Sequence, residues 1–131
     1  MTVNQPTAFI VDDDANVRRS LTRLLGVAGF EARAFSSAEE FLEKLDVGEG
    51  DCLIADVCLP GMSGPELQQE LRHRSIDMPI VFMTGFAEAA YVDGDGAAEH
   101  DRLAVLYKPF DAEALLEAIQ KAISRHVAGS A

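Results

Sequence analysis

The sequence predicts an α/β fold, a doubly wound sheet of five parallel strands, and three observations carry that expectation. First, short apolar runs alternate with segments of helical period, the pattern of β/α units wound into one sheet. Second, four of those runs end in polar, reactive side chains. Phe9 Ile10 Val11 stops at Asp12 Asp13 Asp14, Leu53 Ile54 Ala55 at Asp56, Ile80 to Met83 at Thr84, and Leu103 to Tyr107 at Lys108 Pro109. In a parallel sheet these ends meet along one edge, where open α/β sheets bind ligands. Third, 131 residues with 48% hydrophobic side chains suffice for one domain with its own core and leave no room for a second.

Phe9 to Val11 is the first strand. Val17, Leu21, Leu24, Leu25 and Ala28 then recur at helical spacing, with Asp14 as N-cap and Gly29 where a C-terminal cap belongs. Phe30–Phe35 reads as the second strand. Ser37 and Glu40 form a capping box for a helix that buries Ala38, Phe41, Leu42 and Leu45, and Gly48 and Gly50 close that unit as a loop. After the third strand, Pro60 to Pro65 is a rigid loop, and Pro65 suits the first turn of a helix carrying Leu67 and Leu71. Pro79 opens the fourth strand. The last helix starts near Asp111 as N-cap and keeps Leu115, Leu116, Ile119 and Ile123 on one face. Residues 127–131 read as a frayed tail or the start of a linker, so the single domain over 1–131 has a core of about 7–126.

A helix is also due between the fourth and fifth strands, and Ala87 to Tyr91 can begin one. Val92 Asp93 Gly94 Asp95 Gly96 interrupts it, since two glycines cost a helix about 2 kcal/mol relative to alanine. The expectation over 86–101 is therefore an irregular fourth helix. Asp93 to Gly96 starts like a calcium loop, but Ala97 stands in the place of a third ligand and the later Glu is missing. His73, His100 and His126 are scattered among polar residues and read as solvated.

The formal charge of −11, from 22 acids against 11 bases, opposes direct contact with nucleic acid or an anionic membrane. Output must pass through a partner or through something outside this chain. Cys52 and Cys58, in or beside one apolar run, cannot form an ordinary disulfide within a single strand and read as reduced cytosolic thiols. The sequence lacks a leader pattern, and no apolar run approaches the roughly 20 residues needed to span a bilayer. The localisation expected is cytoplasmic.

Taken singly, the polar strand ends have ordinary readings. An acidic run is usually a solvated turn or helix cap, an Asp or Thr ending a strand is usually a turn former, and Lys before Pro is usually surface charge. Brought to one edge, several carboxylates, a hydroxyl and an ammonium suit a hard divalent cation and a phosphoryl group. The acids after the first strand, then Asp56 Val57 Cys58 Leu59 Pro60 Gly61 Met62 Ser63 Gly64, then Thr84 Gly85, then Lys108 Pro109 Phe110, occur in an order and spacing with a known counterpart. From Ala8 to about Ser124 the chain resembles a receiver domain of the bacterial two-component response regulators, most like the nitrogen-fixation transcriptional regulator type.

That resemblance implies a flavodoxin-like strand order of 2-1-3-4-5 and a role for each site residue. Asp56 would be the phosphoacceptor, loaded from a phosphohistidine on a sensor histidine kinase. Mg²⁺ would be held by Asp12, Asp13, Asp56 and the backbone carbonyl of Cys58. Thr84 and Lys108 would bind the phosphoryl oxygens, small Gly85 would leave the entrance open, and the peptide before Pro109 would be cis. Cys58 and Phe86 would flank the path of hydrolytic water. Neither is a good water-positioning group, so slow autodephosphorylation is expected. Where receivers commonly place a rotating aromatic switch, this chain has Val105, and Tyr107 is no clear substitute. The irregular 86–101 segment falls on the surface that receivers use for dimerisation and output, so a homodimer is one possible assembly and the output partner is open.

The leading function is thus a phosphorylatable receiver rather than a conventional enzyme. The alternatives are a phosphorylation-independent scaffold of receiver shape and a phosphatase of the haloacid dehalogenase type. The acid set and Lys108 oppose the first. The second places an Asp two residues after its nucleophile, where this chain has Cys58. A flavin-binding flavodoxin is disfavoured because the first loop carries acids where a phosphate cradle needs backbone donors and hydroxyls.

Overall fold

A computed structural model describes residues 5–45, 50–85, 104–108 and 110–130. Five strands, β1 (Thr7–Val11), β2 (Glu31–Phe35), β3 (Cys52–Asp56), β4 (Ile80–Thr84) and β5 (Ala104–Tyr107), pair entirely in parallel in the order β2-β1-β3-β4-β5. Helices α1 (Ala15–Val27), α2 (Ala38–Lys44), α3 (Gly64–His73) and α4 (Ala112–Ser130) complete the described elements. The strand order is the one the sequence implied. It reverses direction between β1 and β3, and a crevice opens outside the carboxyl ends at such a reversal.

Strand alternation divides the core into two apolar layers. Ile10, Ile54, Val81 and Met83 face Leu21 and Leu25 of α1 and Leu115 and Ile119 of α4. Phe9, Val11, Leu53, Ala55 and Phe82 face Phe41 of α2 and Leu67 and Leu71 of α3. Phe9, Phe35 and Phe41 meet edge to face or tilted, with centroids 5.2 to 6.1 Å apart. Every residue of β3 and β4 is buried, as expected of parallel strands covered on both faces.

The caps show where local chemistry differed from the sequence reading. Asp14 caps α1 by accepting from the Asn16 N–H at 2.8 Å, and Gly29, at φ +98, follows the Ala28 C-cap in the left-handed region. Ala28 itself is exposed, and β2 starts one residue later than expected, at Glu31. On α2 only half of the expected capping box forms. Ser37 accepts from the Glu40 N–H, but the Glu40 carboxylate turns to Ser36, whose N–H and hydroxyl offer it two donors in place of one. The full reciprocal box lies on α3, between Ser63 and Glu66.

Asp111 accepts from the Ala114 N–H at 2.8 Å where α4 begins. Its buried stripe includes Ala118 and Ala122, while Leu116 and Ile123 are only partly buried. Helix α4 runs on to Ser130, into the stretch read from sequence as a frayed tail or the start of a linker. Among the described residues no helix is long and apolar enough to cross a membrane. The irregular fourth helix at 86–101, Gly48, His100, Phe86 and the peptide before Pro109 lie outside the described residues.

Candidate functional site

Register brings the polar strand ends together. Val11 lies opposite Ala55, so Asp12 and Asp56 leave the sheet side by side. Asp56 lies opposite Met83 and Thr84 opposite Tyr107, which sets Thr84 and Lys108 one step further along the same edge. The Lys108 N–H donates to the Thr84 carbonyl at 2.9 Å and extends the ladder to the lysine itself. Asp12, Asp56 and Thr84 are the buried polar residues of the described chain, and all three stand at this edge.

The carboxylates form one cluster. Asp12, Asp13 and Asp56 each offer an oxygen, and these atoms lie within 4.8 Å of one another. Lys108 Nζ donates to Asp56 Oδ2 at 2.6 Å and stands 3.5 Å from Asp12 Oδ2. The other oxygen of Asp56, Oδ1, accepts from the Cys58 N–H at 2.9 Å. Asp12 Oδ1 accepts from the Asp14 N–H at 2.8 Å, and the Asp12 carbonyl accepts from Arg18 Nη1 at 2.8 Å. Thr84 is fully buried, and its hydroxyl donates to the Gly85 carbonyl at 3.2 Å.

The electrostatics follow from burial and crowding. Burial pushes the Asp12 carboxyl up to about 6; the hydrogen bond from Asp14 and the charge of Lys108 oppose the rise, and contact with Asp56 adds to it. Burial alone would pull the Lys108 ammonium down. The hydrogen bond to Asp56 and the charges of Asp12 and Asp56 outweigh it, and the ammonium is held above its ordinary value. Cys52 is a buried free thiol in β3, pushed up to about 12 by burial and by the charge of Asp51, and it is chemically quiet. Three carboxylates against one ammonium leave a net negative site lined by hard oxygens. That donor set suits a hard divalent cation.

The structure therefore gathers Asp12, Asp13, Asp56 and Lys108, with Thr84 and Gly85 at the neighbouring strand end. Cys58 is exposed, and its backbone is anchored to the Asp56 carboxylate. Val105 is half-buried on β5, while Tyr107 on the same strand is 48% exposed. The roles of two residues at the site had escaped the sequence reading. A Cβ at Gly64 would lie 2.5 Å from the Asp56 carbonyl oxygen, so only glycine lets α3 begin against that strand end. Arg18 was not singled out in the sequence, and it stands out only through its bond to the Asp12 carbonyl.

Residues 8–120 match the response regulator receiver domain family. Transcriptional regulatory protein TdiR of Thauera aromatica is 36% identical over 123 residues, covering 94% of this chain and 53% of that protein. Nodulation protein W of Bradyrhizobium diazoefficiens is 39% identical over 117 residues, covering 89% of this chain and 51% of that protein. The chain thus spans about half the length of these curated relatives. Among solved structures, FixJ-N superposes with a TM-score of 0.76 at 33% identity, covering 93% of this chain and 96% of that one. A CheY-like receiver domain protein from Methanospirillum hungatei superposes with a TM-score of 0.80 at 25% identity, covering 96% and 99%.

Proposed function

The chain belongs to the response regulator receiver domain family, and from that premise we propose that it takes a phosphoryl group onto Asp56 from a phosphohistidine of a sensor histidine kinase. The observation that carries the proposal is the buried Asp56 carboxylate, paired with Lys108 Nζ at 2.6 Å and clustered with the oxygens of Asp12 and Asp13. In the reaction an Asp56 oxygen attacks phosphorus as the phosphorus–nitrogen bond to imidazole breaks. The electron pair leaves with nitrogen, and the product is an acyl phosphate.

Little covalent work falls to the rest of the site, whose task is alignment and charge stabilisation. The Cys58 N–H holds Oδ1 of Asp56 and so orients Oδ2 toward the open edge. The Lys108 side chain is 30% exposed on a flexible stem, so its ammonium can follow charge from the carboxylate onto the incoming phosphoryl oxygens. Mg²⁺ suits Asp12, Asp13 and Asp56, with the Cys58 carbonyl as the family resemblance implies, and when bound it neutralises charge on the transferring oxygens. The Thr84 hydroxyl, donating at 3.2 Å to Gly85, can exchange that partner for a phosphoryl oxygen once three strong acceptors have arrived.

The readout then differs from a receiver with an aromatic switch, because an aliphatic Val105 has no ring to rotate inward. Cys58, exposed beside Asp56, offers water only a weak hydrogen-bonding group, which supports a long-lived phosphorylated state ended by a partner. Output passes to a partner or to an output segment outside these residues, as the length of the relatives supports. The test is intact mass after treatment with a small phosphodonor, with and without Mg²⁺. One phosphoryl group should be gained only with Mg²⁺, and Asp56→Asn should abolish the gain. Equal labelling of that variant rejects the assignment.

A further inference from the structure

We infer that Arg18 is a positioning residue for the cation site, acting by holding the peptide between Asp12 and Asp13. The inference rests on the reading of the acid cluster as a Mg²⁺ site. Arg18 Nη1 donates to the Asp12 carbonyl at 2.8 Å from the second turn of α1, and the bond is partly buried. Its neighbours Arg19 and Arg23 are exposed on the same helix, whereas Arg18 is half-buried against the loop. A guanidinium withdrawn from water keeps its place through such bonds.

The Asp12 carbonyl belongs to the peptide that leads into Asp13. Asp12 is fixed on its other side by the Asp14 N–H bonding to its carboxylate and by its own N–H bonding to the Phe35 carbonyl at 3.2 Å. Asp13 is exposed, yet its oxygen falls within 4.8 Å of those of Asp12 and Asp56. The orientation of the peptide before it is what sets that placement. Arg18 holds that orientation without touching the carboxylate oxygens that would ligate the metal. Partners of this kind typically change metal affinity about 10- to 100-fold when removed.

Charge and position pull in opposite directions here, so the sign of the effect identifies the mechanism. Removing a guanidinium near a cation site removes repulsion and tightens the binding of any divalent cation. Loosening the Asp12–Asp13 peptide weakens binding. It also weakens Mg²⁺ more than Ca²⁺, because Mg²⁺ demands near-ideal octahedral geometry and Ca²⁺ tolerates flexible ligands.

The experiment measures Mg²⁺ and Ca²⁺ dissociation constants of the wild type, Arg18→Met and Arg18→Lys by amide chemical-shift titration, with thermal unfolding in EDTA alongside. Arg18→Met should bind Mg²⁺ about tenfold more weakly, with a smaller loss for Ca²⁺. Arg18→Lys, which keeps the charge but not the planar fork, should also weaken Mg²⁺ and provides the measurement if Arg18→Met does not fold. Unchanged or tighter Mg²⁺ binding in the variant, or equal losses for both cations, overturns the inference. A wild type that binds neither cation and takes no phosphoryl group overturns the underlying reading instead, and the two failures are thereby distinguished.

Discussion

The two halves of the site are built differently. On the β1–β3 side, Asp12 and Asp56 are buried, and each has one carboxylate oxygen held by a backbone N–H from two residues on. On the β4–β5 side, Thr84 donates to the carbonyl of its own neighbour, and Lys108 reaches across from the second edge strand on a flexible stem. The acids are fixed before any ligand arrives, whereas the hydroxyl and ammonium hold partners they can exchange. Rigidity where the nucleophile must be aligned and exchangeable bonds where a signal must be passed on are what a phosphorylation switch requires.

The largest effect should come from the exchangeable half during phosphoryl transfer. Lys108→Met removes the ammonium that faces Asp56 and the charge that would meet the phosphoryl oxygens. Loss of one such donor typically costs a factor of about 10² to 10³, roughly 3–4 kcal/mol of barrier. Rates of labelling by a small phosphodonor at saturating Mg²⁺ measure this. Thr84→Ala, by contrast, should label at close to the wild-type rate while amide exchange shows a weaker response of β4 and β5 to phosphorylation. If Thr84→Ala slowed labelling as much as Lys108→Met, the two would act as one unit and the division between them would be lost.

Much of this arrangement is legible in the sequence itself. Parallel strands buried on both faces appear as unbroken apolar runs, and their polar ends fall on one edge by topology, so Asp12, Asp56, Thr84 and Lys108 could be grouped from sequence. What escaped was set by contacts between distant segments or by competition among near-equal local partners. The Glu40 carboxylate had two neighbouring serines to choose from, and the pattern alone did not favour Ser36. Gly64 shows its purpose only when α3 is laid against the end of β3, and Arg18 only when its guanidinium is traced back across the loop. Alanines such as Ala118 and Ala122 were passed over because small side chains give a weak periodic signal although they let α4 approach the sheet.

The fixed half should carry its own pH signature. Asp12 is held at about 6, above its ordinary value of 3.8, so the folded chain binds that proton more tightly than the unfolded chain. The resulting stabilisation is fully present below about pH 4 and is lost as pH rises through about 6, at most about 3 kcal/mol in the metal-free protein. Glu40, lowered by its bonds to Ser36, contributes the opposite slope, so the comparison must be a difference between variants. Asp12→Asn keeps the shape and loses the charge. In EDTA its urea midpoint should exceed that of the wild type at pH 7.5, and the gap should close toward pH 4. Mg²⁺ competes with the same proton, so wild-type Mg²⁺ binding should weaken as pH falls through about 6. A gap that stays constant with pH would show that burial of Asp12 does not hold its proton.

A smaller effect tests whether the fixed half depends on the helix behind it. At Gly64, on the first turn of α3, a methyl group would lie 2.5 Å from the Asp56 carbonyl oxygen and 3.1 Å from Val57 Cα. Both are backbone atoms and cannot step aside by changing rotamer. The Gly64 N–H also donates to the Val57 carbonyl at 3.1 Å, tying the helix to the strand it would have to leave. Gly64→Ala should therefore cost about 1–3 kcal/mol and displace the segment that carries Asp56, the proposed phosphoacceptor. Gly26 supplies the control, since a Cβ there meets nothing within 4 Å and the residue lies inside α1. Gly26→Ala should stabilise by up to about 1 kcal/mol and leave labelling unchanged. Urea unfolding and phosphodonor labelling of both variants make the comparison, and Gly64→Ala should fall in both measurements. Should it unfold more easily yet label at the wild-type rate, α3 supports the fold without aligning Asp56, and the rigidity of the acid half must come from the sheet and its loop bonds alone.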